Sequence, residues 1–273
     1  MEKDFSKQVA DGERFEFGAN WTAFLKTLTD ERITVAENSL TAMLGPDATG
    51  QTFLDIGCGS GLFSLAARRL GYTVHSFDFD RQSVACTQSL KERFFPNDDQ
   101  WLIEEGSVLD NTYLHAKGKF DVVYSWGVLH HTGQMWQALE NAGNAVKENG
   151  KLFIAIYNDQ GVRSKAWLFI KKLYNAGTLS RFLVKAVFIP YFIISSFCWD
   201  IISLKNPLRR YREYQQQRGM SIITDWLDWL GGYPFEVATP AKIIECYTSK
   251  GFKLDKIKTT NRLGCNEFVF IKS

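Results

Sequence analysis

Short apolar runs alternate with helical patterns between residues 51 and 157, and this alternation constrains the fold more than any other feature. Strands are predicted at 51–56, 72–77, 100–105, 120–126 and 151–157, and helices near 61–70, 81–95 and 134–148. The last two strand sequences are apolar on both faces, which is typical of parallel strands covered by helices on each side. The alternation therefore predicts an α/β fold with a doubly wound, mostly parallel sheet.

A helical segment precedes this core, and an insertion and a closing unit follow it. Ile33, Ala36, Leu40 and Met43 recur at helical spacing and predict N-terminal helices within 13–45. After an aromatic and basic insertion at 161–235, a helix starting at Thr239 and strands at 253–259 and 267–272 are predicted. The expected segments are an N-terminal helical lid (1–46), the α/β core (47–160), a mainly helical insertion (161–236) and a C-terminal helix and strand pair that complete the sheet (237–273).

Charge and cysteine content exclude several kinds of partner and site. The 273 residues carry a net charge of +2, which predicts no general attraction to nucleic acid and no DNA partner. The five cysteines are scattered, odd in number and free of CxxC pairs, which indicates reduced thiols and no metal site. Residues 1–11 lack the apolar stretch of a signal peptide. The expected location is the cytoplasm.

The glycine-rich sequence DIGCGSG, at positions 55–61, lies where the first predicted strand turns into the first helix. Open α/β sheets bind ligands in this crevice, and glycine lets the backbone approach a ligand closely. A dinucleotide fingerprint needs a third small residue where this chain has Leu62. The carboxylate of Asp55 can accept hydrogen bonds from the ammonium group of a bound amino acid. The turn therefore favours a cofactor with an amino-acid part over a nicotinamide dinucleotide.

Further polar residues follow the next strands. Asp78 ends the second strand, 21 residues after Gly57, where a carboxylate can accept both hydroxyls of a ribose in either class of cofactor. Ser107 and Val108 follow the third strand, where an adenine edge would be recognised. The fourth strand leads into the sequence SWGVLHH at positions 125–131.

Together these residues resemble the class I methyltransferases that use S-adenosylmethionine (SAM) and release S-adenosylhomocysteine (SAH). The resemblance covers about residues 50–157 and the terminal strand pair, and it is specific at the D-x-G-x-G-x-G turn. It implies that the turn holds the methionine part, that Asp78 holds the ribose, and that Ser107 and Val108 flank the adenine. Many relatives have Asp at position 107, so this family's contact to the adenine amino group is not implied here. The expected cofactor-binding residues are Asp55, Gly57, Cys58, Gly59, Gly61, Asp78, Phe79, Ser107, Val108, Trp126 and Trp21.

The sequence after strand four indicates the kind of acceptor. Methyltransferases of exocyclic base amines usually carry an Asn/Asp-Pro-Pro-aromatic sequence here, whereas this chain has SWGV at 125–128. The following residues are more similar to the branch that methylates small molecules and quinone-type metabolites. We therefore predict methyl transfer to an oxygen, in second place to a nitrogen or sulfur, of a small aromatic or lipid-like metabolite. The alternatives are a tRNA-modifying methyltransferase and, from other classes, a nicotinamide-dependent oxidoreductase or a non-catalytic SAM-binding module.

Five residues are predicted to act on the acceptor. His130 and His131 follow strand four, where one of them would act as a general base or orient the acceptor. Asp228, Tyr233 and Glu236 belong to an aromatic and acidic stretch before the last helix, and such a stretch can line an acceptor pocket. In both groups the alternative is ordinary packing or solvation.

The insertion contains an apolar stretch whose partner the sequence leaves open. Residues 186–199 carry no charge but are shorter than a bilayer span of about 18–20 residues, and Pro190 interrupts them. Basic residues flank both ends, so the region 182–212 could contact an anionic membrane surface. A helical lid or a homodimer interface is the favoured interpretation.

Overall fold

A computed structural model describes residues 5–203, 206 and 222–273. Its helices are α1 (Phe5–Ala10), α2 (Gly18–Leu25), α3 (Asp30–Leu44), α4 (Leu62–Arg69), α5 (Arg81–Phe94), α6 (Asn111–Lys117), α7 (Met135–Asn144), α8 (Val162–Asn175), α9 (Thr178–Ile202), α10 (Ile222–Gly231) and α11 (Pro240–Thr248). Its strands are β1 (Thr52–Ile56), β2 (Thr73–Asp78), β3 (Trp101–Glu105), β4 (Phe120–Trp126), β5 (Val146–Tyr157), β6 (Phe252–Lys258) and β7 (Cys265–Lys272). A short 3-10 helix covers Leu129–His131.

These strands form one sheet in the order β3-β2-β1-β4-β5-β7-β6. Strands β1 to β5 are parallel, and β7 runs antiparallel to both β5 and β6. The strand order reverses between β1 and β4, and open α/β sheets bind ligands at the carboxyl ends of strands beside such a reversal. The predicted α/β class, parallel core and closing strand pair are confirmed.

Apolar layers cover both faces of the sheet. Leu139 of α7 and Tyr247 of α11 belong to the buried cluster on one face. Leu40 of α3 and Leu65 of α4 belong to the cluster on the other face. Because helices cover both faces, the central strands can be apolar throughout, as their sequences are.

Helix α6 is an element that the sequence analysis did not predict. Its Asn111–Lys117 span is about two turns, too short for a helical period to be recognised. The carboxylate of Asp110 caps it by accepting the Tyr113 amide hydrogen at 3.0 Å.

The insertion folds into α8, α9 and α10, and α9 continues through Pro190 although the sequence predicted an interruption there. Phe188 and Phe192, on either side of this proline, have ring centroids 5.8 and 6.3 Å from that of Trp167 in α8. This shared packing keeps the two halves in one helix despite the backbone hydrogen bond that proline cannot make. Among the helices that the structure describes, α9 alone is both long enough and apolar enough to cross a membrane, judged by length and composition.

Candidate active site

A cavity of about 780 Å³ opens at the carboxyl ends of the central strands. The loops after β1 to β4, the N-terminal helices and the insertion form its walls. Its volume lies within the usual range of ligand sites, about 300–1,000 Å³. The predicted site residues that line it are Asp55, Gly57, Cys58, Gly59, Asp78, Phe79, Ser107, Val108, Trp126, Trp21, His131 and Asp228. Most of the residues predicted from the sequence therefore lie around one cavity.

The glycine-rich turn requires glycine for reasons that differ by position. Gly57 and Gly59 have φ of 78° and 54°, a region that favours glycine. A Cβ on Gly57 would lie 2.4 Å from Cγ1 of Val128, and a Cβ on Gly59 would lie 3.1 Å from the indole of Trp21. Gly61 is not among the cavity-lining residues. Its Cβ position is 2.9 Å from Cα of Thr87, so glycine there lets the turn pack against α5.

A chain of hydrogen bonds ends on the buried carboxylate of Asp55. The indole nitrogen of Trp101 donates to Ser76 Oγ at 2.9 Å, Ser76 is 2.7 Å from Ser64 Oγ, and Ser64 donates to Asp55 Oδ2 at 2.5 Å. The indole N–H only donates, and because Ser64 uses its one hydrogen on Asp55, Ser76 donates to Ser64. Burial raises the pKa of Asp55 to about 7, although the Ser64 bond opposes this shift.

Asp78 is held by the backbone on both of its carboxylate oxygens. Oδ2 accepts the Gly59 amide hydrogen at 2.9 Å, and Oδ1 accepts that of Asp80 at 2.9 Å. Burial raises the pKa of Asp78 to about 6, and these two bonds oppose the shift. Each oxygen keeps a second lone pair for a hydroxyl donor.

The loop after β3 forms the next part of the wall. The Gly106 amide donates to the main-chain oxygen of Asp78 at 3.0 Å, which joins this loop to the end of β2. Ser107 Oγ accepts the Leu109 amide at 3.2 Å, and the Val108 carbonyl accepts from Asn141 at 2.8 Å. The loop is thus fixed on both sides of the cavity-lining pair Ser107 and Val108.

The segment between α1 and α2 forms another wall of the cavity. It contributes Arg14, which was not predicted from the sequence. Its guanidinium donates to the main-chain oxygen of His131 at 2.9 Å and lies 5.4 Å from the ring centroid of Phe79. The next residue, Phe15, donates its amide to the Tyr233 carbonyl at 2.8 Å. This segment therefore contacts both the loop after β2 and the loop after β4.

His131 lines the cavity with a defined tautomer. Its Nδ1 lies 2.5 Å from the carbonyl oxygen of Pro234. A carbonyl oxygen only accepts, so Nδ1 carries the proton and Nε2 keeps a free lone pair. Burial and, after it, the charge of Lys171 lower the pKa of His131 to about 3, so the imidazole is neutral.

His130 is separated from the cavity, so the structure does not support a direct role for it. It is fully buried and is not among the lining residues. Its ring centroid is 4.0 Å from that of Tyr157, and its Nδ1 accepts the Tyr157 amide at 3.4 Å. His130 belongs to the packing beneath the site, and the adjacent histidines of the sequence have different environments.

Helix α10 supplies the acidic and aromatic wall of the cavity. Asp225, Trp226, Asp228 and Trp229 all line it. The side-chain amide of Asn20 donates to the carboxylate of Asp228. Burial and the nearby Asp225 raise the pKa of Asp228 to about 7. Of the acceptor residues predicted in this stretch, Asp228 is the one that the cavity contains.

Tyr233 and Glu236 do not line the cavity and make hydrogen bonds to other parts of the protein. Tyr233 is outside the cavity lining, and its carbonyl accepts the Phe15 amide. The Met135 amide donates to the Glu236 carboxylate, with its nitrogen 3.0 Å from Oε2 and 3.2 Å from Oε1. Glu236 therefore caps the N-terminus of α7, where no local side chain does so. Neither of these two predicted acceptor residues lines the cavity.

Lys171 of α8 is a buried cation that the sequence analysis did not single out. Its ammonium donates to the main-chain oxygen of Trp229 and lies 4.5 Å from the Trp229 ring centroid and 4.9 Å from that of Phe235. Burial lowers its pKa to about 7. The available signal was its helical spacing with Trp167 and Tyr174, which places a lysine on the inner face of the helix.

Known proteins that are similar to this chain identify its family. The model of a family described as "Methyltransferase domain" matches residues 29–199, more than half of the chain. The chain belongs to this family. It is a class I SAM-dependent methyltransferase, and SAM is its cofactor. The match decides against the nicotinamide alternative.

Curated relatives of this methyltransferase are ubiquinone biosynthesis O-methyltransferases. That of Caulobacter vibrioides is 31% identical over 115 residues, which are 40% of this chain and 42% of the relative. That of Paraburkholderia xenovorans is 29% identical over 140 residues, 49% of this chain and 55% of the relative. The chain thus spans about half the length of the curated relatives it matches.

Solved methyltransferase structures share the fold. Magnesium protoporphyrin IX methyltransferase from Synechocystis, with bound SAH, aligns over 100% of this chain and 90% of its own at 13% identity, with a TM-score of 0.52. An O-methyltransferase family protein from Burkholderia thailandensis aligns over 88% of this chain and 55% of its own at 13% identity, with a TM-score of 0.54. At this identity the likeness concerns the fold alone.

The cavity fits SAM by its own chemistry. The turn presents a surface without side chains at Gly57 and Gly59, and the carboxylates of Asp55 and Asp78 are acceptors for an ammonium group and for hydroxyls. The cavity wall also includes the buried Tyr124, whose hydroxyl has no hydrogen-bond partner within the described residues. These features suit a ligand that carries both an amino-acid part and a nucleoside.

Proposed function

We propose that this methyltransferase transfers a methyl group to a phenol-type hydroxyl of a small aromatic acceptor and that His131 takes the hydroxyl proton. The observation that carries the proposal is the 2.5 Å contact between His131 Nδ1 and the Pro234 carbonyl oxygen. This contact leaves Nε2 as the proton acceptor on a side chain that lines the cavity.

In this proposal, two carboxylates of the cavity hold the polar parts of the cofactor. Asp55 accepts from the ammonium group of SAM, Asp78 accepts from the ribose hydroxyls, and Ser107 and Val108 flank the adenine. When bound, SAM supplies an electrophilic methyl group on a sulfonium ion. The protein's part is then to position the acceptor, since alignment of the reacting atoms supplies much of the rate in such a displacement.

The protonation state of His131 is compatible with a role as proton acceptor. A pKa of about 3 makes His131 a weak base that stays neutral in the ordinary working range of pH. Among hydroxyl groups, a phenol, with a pKa near 10 as in tyrosine, loses its proton far more readily than an aliphatic alcohol. An amine acceptor has its own lone pair and needs no base before the transfer.

The lining of the acceptor side supports an aromatic substrate. Tyr157, Phe192, Trp226 and Trp229 line the cavity, and flat rings pack well against such walls. Asp228 places a carboxyl group among them that can orient a hydroxyl. The similarity to O-methyltransferases over less than half of the chain supports oxygen as the attacked atom.

The experiment is to measure SAH release with a panel of phenols and catechols, together with thiol and amine acceptors. His131→Ala should reduce turnover of the best phenol about 10²–10⁴-fold, the usual contribution of a general base, while SAH affinity measured by calorimetry stays unchanged. His115→Ala, which alters an exposed histidine on α6, is the matched control and should retain full turnover.

Two results would contradict the proposal. If His131→Ala methylated phenols within about twofold of the wild type, His131 would not be the base. If amines or thiols were methylated and no phenol was, the oxygen assignment would be wrong.

A further inference from the structure

Helix α9 contacts the rest of the protein along one narrow stripe. The residues of this stripe follow each other at intervals of four, as expected for one side of a helix. They are Val184, Phe188, Phe192, Ser196 and Asp200, all buried or half-buried. Because the stripe extends over most of Thr178–Ile202, the helix lies along the domain over most of its length.

The remaining surface of α9 is apolar and exposed. Eleven large apolar side chains are involved: Leu179, Phe182, Leu183, Val187, Tyr191, Ile193, Ile194, Phe197, Trp199, Ile201 and Ile202. Contiguous apolar surface of this extent marks an interaction site in a folded protein. We call these residues the α9 surface.

The charges of α9 are arranged to keep this surface free of carboxylates. Asp200, the acidic residue of the helix, is buried against the domain. Arg181 and Lys185 lie near the N-terminal end, with their cationic groups 5.5 and 5.7 Å from the ring centroid of Tyr174. In the sequence after the helix come four further basic residues, Lys205, Arg209, Arg210 and Arg212, whose structure lies outside the described residues.

We propose that the α9 surface docks on an anionic lipid bilayer, with the helix lying in the plane of the membrane interface. Apolar side chains with basic residues before and after them in the sequence are the pattern of such interfacial helices, in which basic groups meet lipid phosphates. A transmembrane orientation does not fit, because the catalytic domain packs along α9 and would have to enter the hydrocarbon with it.

The distribution of the exposed side chains favours lipid over a second copy of the chain. At 100° per residue, Tyr191 and Ile193 point about 160° apart around the helix axis, yet both are exposed. A partner helix would cover one face, an apolar stripe about 100° wide, and would leave the other side chain in water. A bilayer surface surrounds an immersed helix on every side that the domain does not cover.

The stripe of α9 that packs against the domain reaches the cavity, because Phe192 belongs to the stripe and lines the cavity. Docking would therefore bring one wall of the active site next to lipid. The docking itself does not depend on the acceptor chemistry proposed above, and binding to vesicles without any acceptor tests it separately.

The test is flotation of the full-length protein with phosphatidylcholine vesicles, with and without roughly one third phosphatidylglycerol as the anionic lipid. The wild type should float with the anionic vesicles, and this binding should weaken as salt is raised. Val187→Glu/Ile194→Glu alters side chains that are 64% and 61% exposed, so the fold should persist. Its partitioning should fall at least about tenfold, because two apolar side chains are replaced by anions.

The matched control is Val35→Glu/Leu102→Glu, which adds the same charge at exposed apolar positions of α3 and β3 and should float like the wild type. Sedimentation velocity without lipid completes the test. Failure of the wild type to bind anionic vesicles, or equal binding by the α9 variant, would overturn the proposal. So would a wild-type dimer that the α9 variant dissociates, because a second copy would then occupy this surface.

Discussion

The ammonium group of Lys171 is enclosed by Trp229, whose carbonyl oxygen accepts its hydrogen bond and whose ring centroid lies 4.5 Å away. This pairing joins α8 to α10 behind the wall of the acceptor cavity. It also buries a cation whose charge contributes to the lowered pKa values of His130 and His131. A residue that does not line the cavity thus affects the protonation of one that does.

Replacing Lys171 with methionine should raise the pKa of His131. The side chain keeps its length and apolar stem, but its positive charge no longer opposes protonation of the imidazole. The rise should be partial, because burial is the larger cause of the low pKa and Arg14 also lowers it. The measurement is a pH titration of the His131 ring signals by NMR, which requires no acceptor.

Lys172→Met is the matched control, since Lys172 is the exposed neighbour of Lys171 on the same helix. It should leave the His131 titration unchanged. An unaltered titration in folded Lys171→Met would show that the charge of Lys171 does not contribute to the low pKa of His131.

Asp55→Asn should make the folded protein more stable above neutral pH. The folded-state pKa of about 7 lies above the unfolded value near 3.8, so the folded state binds more protons between these values. The carboxylate's contribution to the free energy of unfolding therefore decreases as pH rises from about 4 to about 7. Asparagine removes this loss and can still accept from Ser64, so the gain should reach on the order of 4 kcal/mol above pH 7 and vanish near pH 4.

Urea unfolding of both proteins at pH 5 and pH 8 measures this difference, with Asp99→Asn as the control at an exposed aspartate. An equal stability difference at both pH values would contradict the assigned cause. If Asp55 also holds the ammonium group of SAM as proposed, the stabilised variant should bind SAM more weakly than the wild type.

The position of the residues proposed to bind the cofactor was predictable because they are close in sequence to the strand ends that position them. The turn at 55–61 follows β1 directly, and Asp78 is the last residue of β2. Once a parallel sheet is predicted, its carboxyl edge brings these residues together without knowledge of side-chain packing.

The acceptor half depends on contacts between distant parts of the chain, and for this reason the sequence predicted it less well. Arg14 donates a hydrogen bond to the His131 carbonyl, and Lys171 donates one to the Trp229 carbonyl of another helix. The local sequence does not identify either partner, although the spacing of Lys171 with Trp167 and Tyr174 indicates the inner face of its helix. The contact of Glu236 with the Met135 amide is also long-range, and an acid near aromatic residues has the same sequence signal whether it binds a ligand or caps a remote helix.

Glu236→Ala should therefore lower stability and leave cofactor binding unchanged. The substitution removes the carboxylate that accepts the Met135 amide at the start of α7, and loss of a helix cap costs about 1 kcal/mol. Thermal unfolding measures the loss, and calorimetry with SAH measures the affinity. Glu245→Ala, at an exposed position of α11, should change neither quantity. If Glu236→Ala lost methyl transfer at a temperature where it stays folded, the result would indicate that Glu236 contacts the acceptor.

Gly57→Ala should abolish most SAH binding, and a second substitution should separate its two causes. The new methyl group would lie 2.4 Å from Cγ1 of Val128, and the φ of 78° would be strained for any residue with a Cβ. Val128→Ala removes the clashing side chain but not the backbone strain. SAH affinity in Gly57→Ala/Val128→Ala should therefore recover in part, remaining weaker than in Val128→Ala alone by the roughly 1–2 kcal/mol that a left-handed alanine costs. Calorimetry on the wild type and three variants gives the complete cycle. Full recovery would show that the clash is the whole effect, and no recovery would show that the clash with Val128 does not cause the loss of binding.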